Sequence, residues 1–273
     1  MNTETPVVSA TQLRKFYPAR SRQKDGVLAV ESIDFELVQG QCLGIVGESG
    51  SGKTTIAKML LGIEIPTAGT ITVAGRDRSI PARGSSERRK RGRELQMVFQ
   101  DPYVSLDPRQ TGWSCLREVI QLHFPDQTRI QVESRILELG TQVGLSTEQL
   151  RVRPNSLSGG QRQRVAIARA LASEPQAIIL DEAVSGLDVS IQAQILNLLM
   201  DIKRETGVAY LFISHDLAVI RQMAGYVIVM ESGRVVEEGE TARVLDNPKE
   251  NYTRMLRESV PGPGWSPKRR NLV

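Results

Sequence analysis

The segment from Gly47 to Thr54, with the sequence GESGSGKT, constrains the fold of this chain more than any other feature. It fits the pattern G-x-x-x-x-G-K-[ST], in which glycines let backbone N–H groups turn toward phosphate oxygens. The apolar run CLGIVG before it is typical of a buried strand, and TTIAKMLLG after it is typical of a helix. Strand, loop and helix together predict an α/β fold with a phosphate-binding loop at a helix N-terminus.

The residues of this loop have expected roles in holding a nucleotide. Lys53 is expected to reach the β- and γ-phosphates, and the Thr54 hydroxyl to ligate Mg²⁺. A flexible Gly/Ser turn is the alternative explanation of the pattern, and the flanking strand and helix argue against it. The residues expected to contact the nucleotide are Gly47, Glu48, Ser49, Gly50, Ser51, Gly52, Lys53, Thr54 and Thr55.

Two carboxylates follow the apolar run AIIL at residues 177–180. Ligands of open parallel sheets bind at the carboxyl ends of the strands, which is where Asp181 and Glu182 stand. We expect Asp181 to hold Mg²⁺ through water, opposite Thr54. Glu182 is expected to polarise the attacking water as a general base. A solvated acidic turn is the alternative for this segment taken alone.

The segment LSGGQ, residues 157–161, begins a predicted helix and offers a second anion site. Ser158 suits the N-cap position, where its hydroxyl either caps the helix or binds phosphate. Gly159 and Gly160 allow a ligand to approach the backbone closely, and the helix N-terminus favours an anion. A plain glycine-rich helix cap is the alternative. A single nucleotide needs only one anion site, so the second site needs an explanation.

Hydrophobic patterning divides the chain into a core, an insertion and an extension. In residues 1–100 and 157–245, strands and helices predict a mostly parallel sheet covered on both sides. Residues 101–156 read as helices interrupted by proline and glycine, which predicts an all-helical insertion. Residues 246–273 form a C-terminal extension, and its tail after Pro261 is expected to be loose.

Composition indicates a protein of the cytosol unless a partner holds it at a membrane. No apolar run in the 273 residues approaches the ~20 needed to span a bilayer, and no signal peptide is expected at the start. Cys42 and Cys115 lack metal-ligand spacing, so neither a metal site with cysteine ligands nor a disulfide framework is expected. This cysteine usage fits a reducing compartment.

The net charge of +4 is clustered in residues 83–94 and 268–270. We interpret the first cluster as a solvated basic loop. Nucleic acid and anionic lipid headgroups are the alternative partners of such clusters. Because no aromatic residues or binding module accompany the basic residues, a nucleic-acid partner is not expected.

The order of these motifs resembles that of the ATP-binding cassette ATPases of transporters. GESGSGKT is followed by Gln100 in VFQDP, then LSGGQ, IILDE, SGLD, and His215 in ISHD. The resemblance extends from about Leu13 to Leu256. It implies a P-loop NTPase core of RecA type, an antiparallel β part at the N-terminus, and the helical insertion. It also implies head-to-tail pairs of ATPase subunits, in which the segment Ser158–Gln161 contacts the nucleotide of the facing subunit.

Further residues receive roles from this resemblance. Tyr17 matches the aromatic residue that stacks on adenine, and Phe16 is the alternative candidate for this role. Packing in the core is the alternative role for both residues. Gln100 matches the glutamine that senses Mg²⁺ and the attacking water. Asp188 matches a residue that reaches across the dimer, and His215 matches the histidine that contacts the γ-phosphate.

Three segments are similar to importers of peptides or nickel: VFQDPYVSLDPR, LDVSIQAQILNLL and DNPKENYTRMLRESVP. This resemblance implies two membrane permeases, an extracytoplasmic solute-binding protein, and a place at the cytoplasmic side of the membrane. Ala183 stands where the family usually has proline, and Gly186 where alanine is common, but neither position supplies a catalytic side chain. An ATPase of a soluble enzyme complex, such as phosphonate breakdown, and a nucleic-acid-associated ATPase remain alternatives.

Overall fold

A computed structural model describes residues 5–19, 26–100 and 105–259 of the chain. Its strands are β1 Val8–Tyr17, β2 Val27–Leu37, β3 Cys42–Val46, β4 Ala68–Val73, β5 Arg76–Asp77, β6 Leu95–Val98, β7 Ala177–Asp181, β8 Ala209–Ser214, β9 Tyr226–Glu231 and β10 Arg234–Glu240. Its helices are α1 Lys53–Leu60, α2 Gly84–Glu94, α3 Gly112–His123, α4 Arg129–Gln142, α5 Thr147–Arg151, α6 Gly159–Leu171, α7 Val189–Thr206, α8 Leu217–Met223, α9 Thr241–Asp246 and α10 Asn251–Ser259.

The strands form one mixed sheet in the order β5-β4-β1-β2-β10-β9-β3-β8-β7-β6. The strands β9, β3, β8, β7 and β6 run parallel to their neighbours within this group, whereas β5, β4, β1 and β2 pair antiparallel. The predicted α/β fold with an antiparallel N-terminal part is confirmed. Because the central strands are parallel, their carboxyl ends meet at one edge, which is where the site lies.

Alternation along the central strands divides the buried residues between two cores. On β8, Tyr210 and Phe212 belong to one core, and Leu211 and Ile213 belong to the other. The first core also contains α6 and α7, and the second contains α1 and the antiparallel strands. Period-two alternation places successive side chains on opposite faces of a strand. The sheet is therefore covered on both sides, as the sequence pattern predicts.

The helices α3, α4 and α5 occupy the predicted helical insertion. Leu116, Ile136 and Leu150, one from each helix, are almost fully buried, and they share a core with Val165 of α6. Residues Thr128 and Ser146 begin α4 and α5 with capping boxes, so the sequence encodes these starts locally. The insertion thus packs on the helix that begins at the second predicted anion site. Its boundaries as a separate domain stay a prediction.

The basic segment 83–94 is a helix rather than the expected solvated loop. Glu87 accepts a hydrogen bond from the Arg83 backbone N–H at 2.6 Å and forms an i,i+4 ion pair with Arg91. The side chain of Arg91 also donates to the Ile80 carbonyl at 2.7 Å. Arginine and lysine are good helix formers, and the charge count alone hid this propensity.

The described part of the C-terminal extension contains α10, which packs next to β10. The tail after Pro261 and the basic cluster at residues 268–270 lie outside the described residues. Among the helices that the structure describes, none is long and apolar enough to cross a bilayer.

Candidate functional site

The loop between β3 and α1 has the geometry expected of a phosphate-binding loop. Gly50 and Gly52 have φ values of +85° and +105°, in the left-handed region that favours glycine. A Cβ on Gly52 would lie 2.3 Å from the Ala29 carbonyl oxygen, and a Cβ on Gly47 would lie 2.1 Å from the Met230 carbonyl oxygen. Backbone packs so closely around the loop that glycine is required at both of its ends. In addition, α1 begins without a side-chain cap, so its first N–H groups are available to a ligand.

Lys53 is held inside the loop. Its Nζ donates to the carbonyl oxygens of Gly47 at 2.7 Å and Glu48 at 2.8 Å, and to the Ser51 hydroxyl at 3.3 Å. Burial lowers the pKa of Lys53, while the charges of Glu182, Asp181 and Glu48 oppose this effect. These carboxylates are therefore close enough to act on the amine electrostatically. The arrangement places one positive charge at the centre of the loop.

Thr54 and Asp181 face each other, as the sequence predicts for a Mg²⁺ site. Burial raises the pKa of Asp181, and the nearby Thr54 side chain acts in the opposite direction. Its Oδ1 atom is buried and has no hydrogen-bond partner within the described ranges. A buried carboxylate oxygen without a donor is costly unless a cation neutralises it. Oxygen ligands of this kind fit Mg²⁺, so the residues present fit the ion.

Glu182 lies one residue beyond Asp181 and is oriented by His215. A Glu182 carboxylate oxygen accepts a hydrogen bond from the His215 backbone N–H at 3.1 Å and lies 2.8 Å from His215 Nδ1. The backbone of Glu182 is also unusual, because its φ is +52° in a residue other than glycine. Such strained positions persist only where neighbouring structure holds them. Here the Glu182 N–H donates to the Ile213 carbonyl at 2.9 Å.

Gln100 lies at the same edge of the sheet. It follows β6 by two residues, and β6 pairs in parallel with β7 so that Val98 stands opposite Leu180. The chain therefore leaves β6 next to the point where β7 delivers Asp181 and Glu182. Gln100 itself is exposed.

Alternation along β1 favours Tyr17 over Phe16 as the residue on the loop side. Tyr17 lies on the same face of β1 as Lys15 and the buried Leu13, which shares a core with α1. The Nζ atom of Lys15 lies 4.8 Å from the centre of the Tyr17 ring and donates to the Ile65 carbonyl at 2.7 Å. Phe16 points to the opposite face. A cation over the ring, itself bonded to the chain after α1, thus holds Tyr17 on the face of β1 that it shares with Leu13.

The turn between β9 and β10 joins the antiparallel part of the sheet to the phosphate loop. The Gly233 N–H donates to the Ser51 carbonyl at 3.1 Å, and the Gly233 carbonyl accepts from the Glu31 N–H at 2.8 Å. Gly233 has a φ of +83°, and a Cβ there would lie 3.0 Å from the Ala29 carbonyl oxygen. One residue therefore contacts both β2 and the loop.

The segment Ser158–Gln161 forms a different surface. The Ser158 hydroxyl accepts from the Gln161 N–H at 3.3 Å, and the Gln161 side chain accepts from the Ser158 N–H at 2.9 Å. A Cβ on Gly160 would lie 2.6 Å from the Ile191 side chain, so this glycine lets α6 pack on α7. Asp188 and Val189, just before and at the start of α7, are exposed beside it. Gly159 is half-buried and faces the Leu187 side chain.

The contacts thus sort the predicted residues into two groups. The first group surrounds the phosphate loop and the sheet edge, and the second consists of the helix start at Ser158 with Asp188 beside it. Sequence reasoning missed three residues that hold the first group: Lys15, Gly233, and Tyr252, whose hydroxyl accepts a hydrogen bond from the Glu48 backbone N–H. Lys15 is two residues from Tyr17, and this spacing on a strand was a usable signal. The other two contacts join distant parts of the chain and have no local signal.

Comparison with known proteins agrees with this geometry. Residues 30–185 match the family described as ABC transporter, and the chain belongs to this family. It is 40% identical over 259 residues to the oligopeptide transport ATP-binding protein OppF of Lactococcus lactis, covering 93% of this chain and 80% of that protein. It is also 40% identical to the dipeptide transport ATP-binding protein DppF of Escherichia coli, covering 94% of this chain and 77% of that protein.

A third relative, the oligopeptide transport ATP-binding protein OppD of Mycobacterium bovis, is 47% identical over 237 residues. That match covers 87% of this chain but 38% of the relative, so the chain spans well under half the length of that protein. Among solved structures, a dimeric ATP-binding cassette in a post-hydrolysis state with ADP and Pi has a TM-score of 0.76 at 26% identity. It covers 86% of this chain and 98% of that chain.

Proposed function

We propose that the chain binds and hydrolyses ATP as the nucleotide-binding subunit of an importer. The observation that carries the proposal is the meeting of Lys53, Thr54 and the unpartnered Asp181 oxygen beneath a glycine loop whose helix is uncapped. An uncapped helix N-terminus and a buried lysine suit the phosphates, and the Asp181 oxygen suits a cation bound to them. The relatives named as ATP-binding proteins support this proposal.

Each residue of the site has a part in this reaction. Mg²⁺, when bound by Thr54 and through water by Asp181, would neutralise charge on the β- and γ-phosphates. Glu182 would accept the proton of the attacking water, and its contact with His215 orients the carboxylate. His215 would also contact the γ-phosphate. Gln100 would orient the water from the neighbouring strand end. Tyr17 would stack on the adenine, a contact worth ~1–3 kcal/mol by analogy with other base–aromatic stacking.

The change Glu182→Gln tests the proposed base. It keeps the size and one acceptor oxygen but cannot take a proton, so we expect turnover to fall by about 10²–10⁴-fold with ATP binding retained. Turnover would be measured as phosphate release, and binding with a fluorescent ATP analogue. Glu205→Gln on the exposed face of α7 is the control. Unchanged turnover in Glu182→Gln would remove Glu182 as the base.

The second anion site supports an assembly in which two cassettes share each nucleotide. Ser158 and Gly160 begin α6 on a surface formed with the exposed Asp188, away from the contacts that surround Lys53. We propose that this surface, with Gly159 and Gln161, completes the nucleotide site of a facing cassette, and that Asp188 reaches across. The facing cassette is either an identical copy or a paralogue. The dimeric state of the structurally similar cassette supports this arrangement.

A groove beside the Gln100 loop supports docking of a membrane permease. The groove has a volume of about 610 Å³ and lies among α1, α2 and α3. The apolar side chains of Ile63, Phe99 and Leu122 line it and are exposed, while Arg88 and Arg91 lie at its side. An exposed apolar groove with a positive rim suits an amphipathic helix that carries acidic residues. Such docking would hold the chain at the cytoplasmic side of the membrane.

Affinity purification from native membranes with ATP and Mg²⁺ tests the docking proposal. We expect two permeases and a facing cassette to co-purify with the wild-type chain, and Leu122→Glu to lose the permeases. Ile130→Glu is the matched control, because Ile130 is apolar, highly exposed and outside the groove. Equal recovery of permeases with both variants would contradict docking at the groove.

The transported solute is proposed from the relatives. Those named here are oligopeptide and dipeptide transport proteins, and the three segments noted in the sequence are similar to importers of peptides or nickel. We propose uptake of a peptide or similar solute, delivered by an extracytoplasmic binding protein. Recovery of soluble enzymes alone in the purification would instead favour a non-transport complex. Salt-dependent RNA binding with stimulated ATPase activity would favour a nucleic-acid-associated ATPase.

A further inference from the structure

The C-terminal helix α10 reaches the phosphate loop through one side chain. Tyr252 is 8% exposed, and its hydroxyl accepts a hydrogen bond from the Glu48 backbone N–H at 3.0 Å. The two residues are 204 positions apart in the sequence. The Tyr252 ring belongs to the core that also contains Val229 of β9 and Leu245 of α9. The hydroxyl is therefore held at the loop by the packing of its own ring.

The backbone of Glu48 is held at both its N–H and its carbonyl group. Its N–H donates to Tyr252, while its carbonyl accepts a hydrogen bond from Lys53 Nζ at 2.8 Å. The preceding residue, Gly47, lies against the Met230 carbonyl with no room for a Cβ. The entrance of the loop is thus fixed by β9, by α10 and by the lysine that is expected to bind phosphate.

The start of α10 is itself anchored by Glu237 on β10. The Glu237 carboxylate accepts hydrogen bonds from the backbone N–H groups of Lys249 at 2.9 Å and Glu250 at 3.3 Å. Burial acts to raise the pKa of Glu237, but the hydrogen bonds from the backbone N–H groups of Lys249 and Glu250 help to outweigh it, and the pKa lies below its ordinary value. A carboxylate at a helix N-terminus also interacts favourably with the helix dipole. Glu237 thus fixes the helix that carries Tyr252.

We propose that Tyr252 is a positioning residue for nucleotide binding, which makes the C-terminal extension a functional part of the phosphate loop. The proposal rests on the assignment of Gly47–Thr54 to the phosphates. Tyr252 touches no reacting atom and acts through the Glu48 backbone. Loss of its hydroxyl removes the hydrogen bond from the Glu48 N–H and loosens the entrance of the loop, on which Lys53 depends for its place. The affinity for the nucleotide should fall, whereas the rate of the chemical step at Glu182 should not change.

The change Tyr252→Phe in the full chain tests this proposal, because it keeps the ring and removes only the hydroxyl. We expect the Kd of a fluorescent ATP analogue and the KM for ATP to rise by about two- to tenfold, the equivalent of one neutral hydrogen bond, with kcat unchanged. Hydrogen exchange of the loop segment 47–53 should become faster. Tyr210→Phe is the matched control, since its buried hydroxyl has no hydrogen-bond partner among the described residues.

Glu237→Ala provides a second variant that leaves Tyr252 intact. Because it removes the anchor of α10, it should weaken nucleotide binding in the same direction and speed exchange in both α10 and the loop. If Tyr252→Phe binds the nucleotide and exchanges as Tyr210→Phe does, the proposal is wrong. A lower melting temperature with unchanged Kd in both variants would likewise reduce Tyr252 to a packing residue.

A third measurement separates this proposal from the proposed function. If Lys53→Ala binds the nucleotide as tightly as the wild-type chain, the assignment of the loop itself has failed. If Lys53→Ala loses binding while Tyr252→Phe and Glu237→Ala keep full affinity, only the role of the C-terminal helix has failed.

Discussion

The phosphate loop and the Ser158–Gln161 segment are both glycine- and serine-rich starts of helices, yet the chain completes only one of them. In the phosphate loop the helix is uncapped, and a buried lysine and two carboxylates surround the open N–H groups. At Ser158 the capping box satisfies the start of the helix through its own side chains. The first N–H groups of α1 have no side-chain cap and can bind a ligand, whereas the start of α6 is capped by the side chains of its own capping box.

Two similar motifs in one chain thus differ in how the first N–H groups of their helices are satisfied. An uncapped helix start with buried charges around it indicates a site that can bind an anion within its own chain. A capped start on an exposed surface is stable alone, and it contributes to a ligand only when the ligand arrives on another molecule. The contrast supports the proposal that each nucleotide lies between two cassettes.

Lys53→Ala should have the largest effect, because it removes the only charge inside the loop that attracts phosphate. Several charge-assisted hydrogen bonds of ~1.5–3 kcal/mol each are lost, so nucleotide binding should weaken about 100-fold or more and turnover should disappear. Isothermal titration with the isolated chain measures the affinity. Lys58→Ala, an exposed lysine later on α1, is the control. Normal nucleotide binding by Lys53→Ala would contradict the assignment of this loop to phosphate binding.

Ser158→Ala should separate the two motifs. The isolated chain should bind the nucleotide with unchanged affinity, whereas turnover of the assembled pair should fall about tenfold or more through loss of one hydrogen bond to charged phosphate. The lost cap should cost ~1 kcal/mol of stability. Ser156→Ala, two residues earlier and exposed, controls for the substitution. Weaker binding by the isolated Ser158→Ala chain would contradict the proposal that Ser158 contacts the nucleotide of a facing chain.

The same two substitutions give a complementation test. In a head-to-tail pair, one chain with Lys53→Ala and one with Ser158→Ala still contain one site with an intact loop and an intact Ser158. A mixture should therefore recover part of the turnover that each variant lacks alone. If the chain pairs only with a paralogue, the two changes are divided between the two proteins. No recovery in the mixture would argue against shared sites.

The effect of pH on the free energy of unfolding should be smaller than the effects above, and it concerns Lys53 of the phosphate loop. Burial lowers the pKa of Lys53 from its ordinary value of 10.5. Between the lowered value and 10.5 the unfolded chain binds more protons than the folded chain, so this residue makes the free energy of unfolding rise with pH. Urea unfolding of the wild-type chain and Lys53→Met across this range measures the slope. The variant should show the smaller rise, and identical slopes would contradict the burial of a charged amine.

Local patterns predicted the elements that depend on neighbouring residues. The strand, loop and helix around Lys53 and the capping boxes at Thr128 and Ser158 use residues within a few positions of one another, and the structure has them as predicted or as local rules require. Gly186 has a left-handed φ of +75°, a conformation that favours glycine at this position. The roles assigned to the site residues stay predictions.

What the sequence did not predict depends on charge balance or on distant contacts. The density of arginines in α2 favours a solvated loop, whereas the ion pair between Glu87 and Arg91 stabilises a helix locally. The contact between Glu48 and Tyr252, like that between Ser51 and Gly233, exists only once the whole sheet has formed. No periodicity in the chain signals such pairs. They are consequences of topology rather than of local propensity.

The turn at Gly233 has a consequence for the length of the ligand. Because Gly233 bonds to Ser51 on one side and to Glu31 on the other, it sets the separation between the phosphate loop and the part of the sheet that carries Tyr17. The turn therefore acts as a spacer, and a residue inserted there would change the reach of the site without removing any side chain expected to contact the nucleotide. Such an insertion would alter how well triphosphates of different size bridge the two ends.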